Sequence, residues 1–242
     1  MCRKPRLIEL SHILPKFLWK NSGVIGGRNK YDIISTDPTE SRFHQQDGQK
    51  EHLCCRECEA RMNRWETVAK NIWFAKESPL RKTELFQSGA ILRDVPYREF
   101  KLFLMSLLWK MGVSKAAYNE PVKLRGHEQK LRRLLTANDP AEPWRYGCQV
   151  GSLTHRGMFL HDYFAQPVEL WSPHEPDRCI FCIVAAGVLL AFETTGRKPS
   201  ESVIERFLAP GRPWIIPTRE ITSFPALRKD FEGWAKLNGF GI

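Results

Sequence analysis

The stretch HLCCRECEARMNRWE, His52 to Glu66, places three of the chain's seven cysteines within five residues and runs straight into an amphipathic pattern. Cys55 and Cys58 form a Cys-x2-Cys step where a turn meets a helix, the usual place for half of a zinc knuckle. From Arg56 to about Ala75, Met62, Trp65, Val68, Ala69, Ile72 and Trp73 recur at three- and four-residue spacing, which predicts a helix that begins at the cysteine pair. Structural zinc takes four ligands, so a pair needs two more. Cys2 is the one cysteine upstream, and this sequence holds no second cysteine three residues from it. Cys54, His12, His44 and His52 are the candidates for the fourth ligand.

The remaining cysteines carry a different signal. Cys148 stands alone, and Cys179 and Cys182 form a second Cys-x2-Cys inside the apolar run CIFCIVAAGVLLAF, Cys179 to Phe192. No polar turn surrounds that pair, so it reads as buried structural cysteine on a strand. Seven is also an odd number, and clustered cysteines without a regular framework favour metal over disulfides in a reducing compartment.

The composition, 42% hydrophobic and 26% charged, is that of a globular protein able to bury a core without disulfide staples. No apolar run reaches the roughly 18 to 20 residues that span a bilayer, and the N-terminus lacks the apolar segment of a signal peptide. The expectation is a cytoplasmic protein that makes no use of a membrane. The net charge of +10 is uneven. Residues 1–90 hold 16 Lys+Arg against 11 Asp+Glu, residues 91–150 hold 11 against 6, and residues 151–242 hold 10 against 10. An excess confined to the first 150 residues suits contact with a polyanion, most often nucleic acid, or else serves solubility.

Three zones follow. Residues 1–76 carry the Cys and His features, a Gly-rich loop NSGVIGGRN and a polar turn HQQDGQKE. Residues 77–147 read as helical. There YREFKLFLMSLLWKMG, Tyr97 to Gly112, sets Phe100, Phe103, Leu104, Leu107, Leu108 and Met111 on one face, and HEQKLRRLLTA, His127 to Ala137, forms a second helix. Its Lys130, Arg132 and Arg133 either grip phosphates or make a solvated face. Residues 148–242 turn to short strands separated by Pro, Gly and Asp, with helices SESVIERFLA and FPALRKDFEGWAKL packed on them. The fold class expected is α+β.

One more element precedes the cysteines. RLIEL alternates like a strand and ends at His12, just before Ile-Leu-Pro. A histidine at a strand end beside a metal can take a proton from water and aim the hydroxide at a phosphodiester. It can equally hydrogen-bond within its turn or complete a zinc site.

The order of a cysteine, a strand, SHILP, a hairpin region and then CCRECE opening a helix resembles the HNH (ββα-metal) endonuclease superfamily. More closely it resembles a group of uncharacterised bacterial HNH-like proteins that share SHIIPKF, QDG and LLCxxCE, followed by helices like FKLFLMSLLWK and GHEQKLRRLL. The likeness covers residues 2–147, extends loosely over 148–242, and confines the nuclease motif to the first 75 residues. It implies an N-terminal zinc-stabilised, treble-clef-like ββα-metal unit, a helical middle and a C-terminal sheet with helices. Cys55 and Cys58 match the second knuckle, and Cys2 matches the last cysteine of the first, whose partner would precede Met1. Cys54 matches an apolar position, or replaces the missing ligand. His12 matches the general base, and Glu59 stands where a His or Asn often binds the catalytic ion, for which a carboxylate suits magnesium or manganese.

The activity so implied is metal-dependent hydrolysis of phosphodiester bonds in DNA, in a bacterial setting often as an antiviral defence effector. Zn2+ is structural and Mg2+ or Mn2+ catalytic. The departures are Ser11 in place of the Asp or His that precedes the base, Lys50 in place of an Asn, and a longer step from His12 to Cys55. Asp47 and Glu66 are spare carboxylates that compensate, or else a turn former and a solvated helix residue. The departures also suit a second reading, a zinc-stabilised nucleic-acid- or protein-binding subunit with a degenerate nuclease site.

Overall fold

The computed structural model describes residues 8–21, 31–33, 43–45, 48–74, 84–86, 89–160, 163–171 and 178–237. Cys2, Asp47 and the glycines of the Gly-rich loop lie outside them. The chain begins with β1 (Ile8–His12), α1 (Lys16–Asn21), the small pair β2 (Tyr31–Ile33) and β3 (Phe43–Gln45), then β4 (Lys50–Cys55) and α2 (Arg56–Phe74). β1 and β4 pair antiparallel, with His12 opposite Lys50 and Ile8 opposite Cys55. Glu9 faces Cys54 but Leu10 faces His52, so Leu53 is an extra residue on β4, a bulge that bends the strand before the helix. Strand, strand and helix thus form a ββα arrangement. Gly48, at φ 72°, permits the approach to β4, since a Cβ there would sit 2.3 Å from the Trp19 ring nitrogen.

The middle contains β5 (Glu84–Phe86), β6 (Gly89–Leu92), α3 (Tyr97–Val113), a short 3-10 turn at Ala117–Asn119 and α4 (His127–Ala137). The helices match their spacing, but the segment expected to be helical opens with a hairpin. That hairpin pairs β6 with a strand more than 120 residues later, which no local pattern announces. Helix α3 differs from its expected single apolar face. It is buried on every side from Phe100 to Met111, with Lys101, Ser106 and Lys110 inside.

The last part holds β7 (Cys148–His155), β8 (Met158–Phe159), β9 (Ala165–Trp171), β10 (Cys179–Ala185), β11 (Val188–Thr194), α5 (Glu201–Ile204), β12 (Trp214–Glu220) and α6 (Pro225–Leu237). The strands order as β5-β6-β12-β7-β11-β10-β9, with β8 against β7, and β12–β7 is the parallel step. The apolar run Cys179–Phe192 is two strands, folded at Ala186 (φ 53°) and Gly187 (φ 72°). SESVIERFLA contributes only the four-residue α5.

Alternate residues put the sheet between two layers. Cys148, Val150, Phe181, Ile183, Leu190 and Phe192 join the core of α1–α4, while Leu153, Val184 and Leu189 pack with Leu227, Phe231 and Ala235 of α6. An aromatic chain ties the ββα arrangement into the first layer. Phe17 lies 6.4 Å from Trp73, Trp73 lies 5.2 Å from Phe100, and Phe100 lies 5.3 Å from Trp214 of β12. Trp19 stacks flat on Phe164 at 4.3 Å. The molecule is a mixed α+β protein with a multistranded sheet. Among the described residues no helix is long and apolar enough to cross a membrane.

Candidate functional site

Alternation along β1 turns Ser11 inward, where it is fully buried beneath α2. Its hydroxyl donates to Oε2 of Glu59, in the first turn of α2, at 2.6 Å. The residue before the expected base and the carboxylate that opens α2 therefore lie side by side. A carboxylate in a helix's first turn also meets the positive end of the helix dipole.

His12 follows at the strand end, half-buried, and its carbonyl accepts from Nζ of Lys110 at 3.0 Å. The same ammonium meets Oε1 of Glu66 at 2.6 Å. Lys110 is 1% exposed and comes from α3, so one buried cation joins the end of β1, the third turn of α2 and the end of α3. Glu66 is thus a structural partner and not a spare carboxylate. Glu51 of β4 provides a second tie. Its carboxylate accepts from the Ser114 hydroxyl and from the backbone N–H groups of Lys115 and Ala116, just past α3. Burial alone would raise this carboxyl, but the hydrogen bonds from Lys115, Ser114 and Ala116 outweigh it and hold it below its ordinary value. Neither Lys110 nor Glu51 was singled out by sequence. Apart from a charge within an apolar helical face, Lys110 gives no local signal.

Cys55 closes β4 and Cys58 lies in the first turn of α2, and both are buried. Cys54 is buried beside them, and burial, with smaller contributions from Glu59 and Cys58, pushes its thiol up to about 12. Cys55 and Cys58 are the thiols that a structural zinc would take here. Among the described residues, no group of three or more His, Cys, Asp or Glu side chains is arranged to hold a metal ion. For a hard divalent cation the fit is of another kind. Magnesium keeps several waters and is commonly held by one or two carboxylates together with substrate phosphate, and the carboxylate beside Ser11 is that of Glu59.

The other sequence candidates separate from this site. Lys130 and Arg133 are exposed on α4 and Arg132 is half-buried. The last carbonyls of α4, at Leu135 and Thr136, accept from Nη1 of Arg61 on α2 at 3.5 and 2.6 Å, which places a cation at the negative end of that helix. Cys179 and Cys182 sit three apart on β10, one packed in each layer, so their thiols face opposite sides of the sheet. Burial pushes them up to about 12 and about 11, as suits inert core thiols.

Fold and site together define an α+β protein whose polar centre lies at the meeting of an antiparallel strand pair and the helix that follows it. Compared with models of protein families, with curated proteins and with solved structures, the chain matches none.

Proposed function

We propose that the chain is a metal-dependent nuclease of HNH type that hydrolyses phosphodiester bonds in DNA at the end of β1. The observation that carries this reading is the Ser11 hydroxyl on the Glu59 carboxylate, with His12 the next residue along β1. His12 takes a proton from water, and the hydroxide attacks phosphorus while the opposite P–O bond breaks. Lys110 fixes the backbone of His12, and Glu51 fixes the paired strand, so the base is positioned before substrate arrives. Glu59 and Ser11 would hold a magnesium or manganese ion, which when bound supplies charge stabilisation at the phosphate. Cys55 and Cys58, with Cys2 and Cys54 as their candidate partners, would hold a structural zinc that pins the strand to the helix. The positive charge of residues 1–150 supports a DNA partner. In a bacterium such an enzyme would serve in defence against phage, within a cytoplasm free of membrane contact.

One observation favours a second reading, a zinc-stabilised binding subunit. The Ser11 hydroxyl already donates to one oxygen of the Glu59 carboxylate, a contact that forms without an ion. Plasmid incubated with magnesium or manganese distinguishes the two. Nicking by wild type that His12→Ala abolishes is the expected result. A gel shift with no nicking in either protein would select the binding subunit.

A further inference from the structure

A small cavity of about 180 Å3 lies between the start of α4 and the end of β9, away from His12. Lys123, Leu124, Arg125, Gly126, His127 and Lys130 line one side, and Trp171, Cys179 and Thr194 line the other. Among the described residues its lining holds three cations, a half-buried histidine and an aromatic ring, and no carboxylate. The volume is below that of drug-sized ligand sites, which take roughly 300 to 1,000 Å3, and suits a phosphate with the edge of a ring.

The cations are arranged, not scattered. The Arg125 guanidinium lies 4.9 Å above the Trp171 ring, and its Nη1 donates to the Lys123 carbonyl at 3.2 Å and to Glu169 at 2.7 Å. Stacking and hydrogen bonding so fix a planar fork that has five donors in all. Lys123 meets Glu120 at 3.2 Å on the surface, an exposed pair that is easily exchanged. Glu120 and Glu169 thus offset two of the three cations from outside the lining, Glu128 lies in the first turn of α4, and Lys130 adds charge to the cavity itself. Trp171 ends the edge strand β9 and stays half exposed.

We propose that this cavity seats one nucleotide of a single-stranded polynucleotide, its phosphate against Arg125, Lys123 and Lys130 and its base against the exposed part of Trp171. The proposal rests on the reading of the chain as a nucleic-acid enzyme and adds a second point of attachment to it. Aromatic stacking next to a cationic track is how single strands are held without regard to sequence. A duplex, with its bases stacked inside, offers nothing to Trp171. The second anchor therefore selects for strands that are single or locally opened. His127 reports on the site. Burial, and then Lys130, hold its ring below the usual histidine value, and a phosphate placed beside it would raise that value.

The test uses the full chain and a fluorescein-labelled deoxythymidine oligomer, with anisotropy read across a salt series. Wild type is expected to bind. Trp171→Ala should weaken binding about tenfold or more, and Trp171→Phe should restore most of it. Lys130→Gln should reduce the slope of log affinity against log salt by about 0.7. The His127 ring resonances should titrate higher in the presence of the oligomer. Circular dichroism shows whether each variant is folded, and both positions are exposed. Unchanged binding in both variants would overturn the site, as would displacement by equimolar inorganic phosphate or thymidine monophosphate. If His12-dependent nicking persists alongside unchanged oligomer binding, this site fails and the nuclease reading stands. Weakened binding in the variants, with no nicking by wild type, leaves this site standing and removes the nuclease.

Discussion

Two buried lysines on one helix behave in opposite ways. Lys110, near the end of α3, faces the ββα arrangement and meets the Glu66 carboxylate and the His12 carbonyl. Lys101, nine residues earlier, faces the loop before the sheet and donates to the carbonyls of Pro143 and Tyr146, at 3.1 and 2.7 Å. Burial brings Lys101 down to about 7, so near neutral pH a large share of it is an uncharged amine, which has two hydrogens for two carbonyls. The sheet side is joined to α3 by a hydrogen-bond donor that near neutral pH is only partly charged. The ββα side is held by ions. A charge pair has a sharper geometry and a larger cost of failure, and here it sits directly behind the residue proposed as the base.

The largest expected effect breaks the ionic side. Lys110→Met leaves the half-buried Glu66 and the His12 carbonyl without their cation and should cost about 2–4 kcal/mol in urea unfolding. A loss below about 1 kcal/mol would mean that the pair is not what holds the strand end.

The next effect sharpens the contrast through pH. The folded protein releases the Lys101 proton at about 7, whereas an unfolded chain keeps it to 10.5. Between those values the unfolded state binds more protons, so stability rises with pH, by at most about 1.4 kcal/mol per pH unit, and below about 7 the contribution is constant. Stability measured from pH 7 to 10 should therefore climb more steeply in wild type than in Lys101→Met. Parallel curves would show that Lys101 stays protonated in the fold.

A smaller effect belongs to Ser11→Ala. Losing one hydrogen bond to a carboxylate that can rehydrate should cost about 1–2 kcal/mol. If Glu59 serves an ion, the variant should also raise the magnesium concentration needed for nicking.

Much of this arrangement was legible in the chain. The strand ending at His12, the helix opening at the Cys-x2-Cys step, and the helices at Tyr97 and His127 each carry a period that local chemistry fixes. The hairpin inside Cys179–Phe192 was not, because its loop is Ala-Gly, whereas the readable type I′ signal is Asn-Gly or Asp-Gly. The β5–β6 hairpin was missed because its partner β12 is distant and its strands are three and four residues long. At the site, Ser11 looked like a defect in a metal motif, and only the fold shows its hydroxyl on Glu59. Glu66 read as solvated because Lys110 lies 44 residues away in sequence. The cavity at Lys130 and Trp171 likewise joins residues 41 apart, so of its lining only Lys130, one of the three basic residues read on α4, was visible in the chain.

The central claim is that the ionic side of α3 positions a chemical site and the neutral side does not. The rate of plasmid nicking at fixed magnesium tests it most directly, in wild type, His12→Ala and Lys101→Met. The account expects Lys101→Met to match wild type and His12→Ala to fall by about 10²- to 10⁴-fold. Equal rates in wild type and His12→Ala would contradict it.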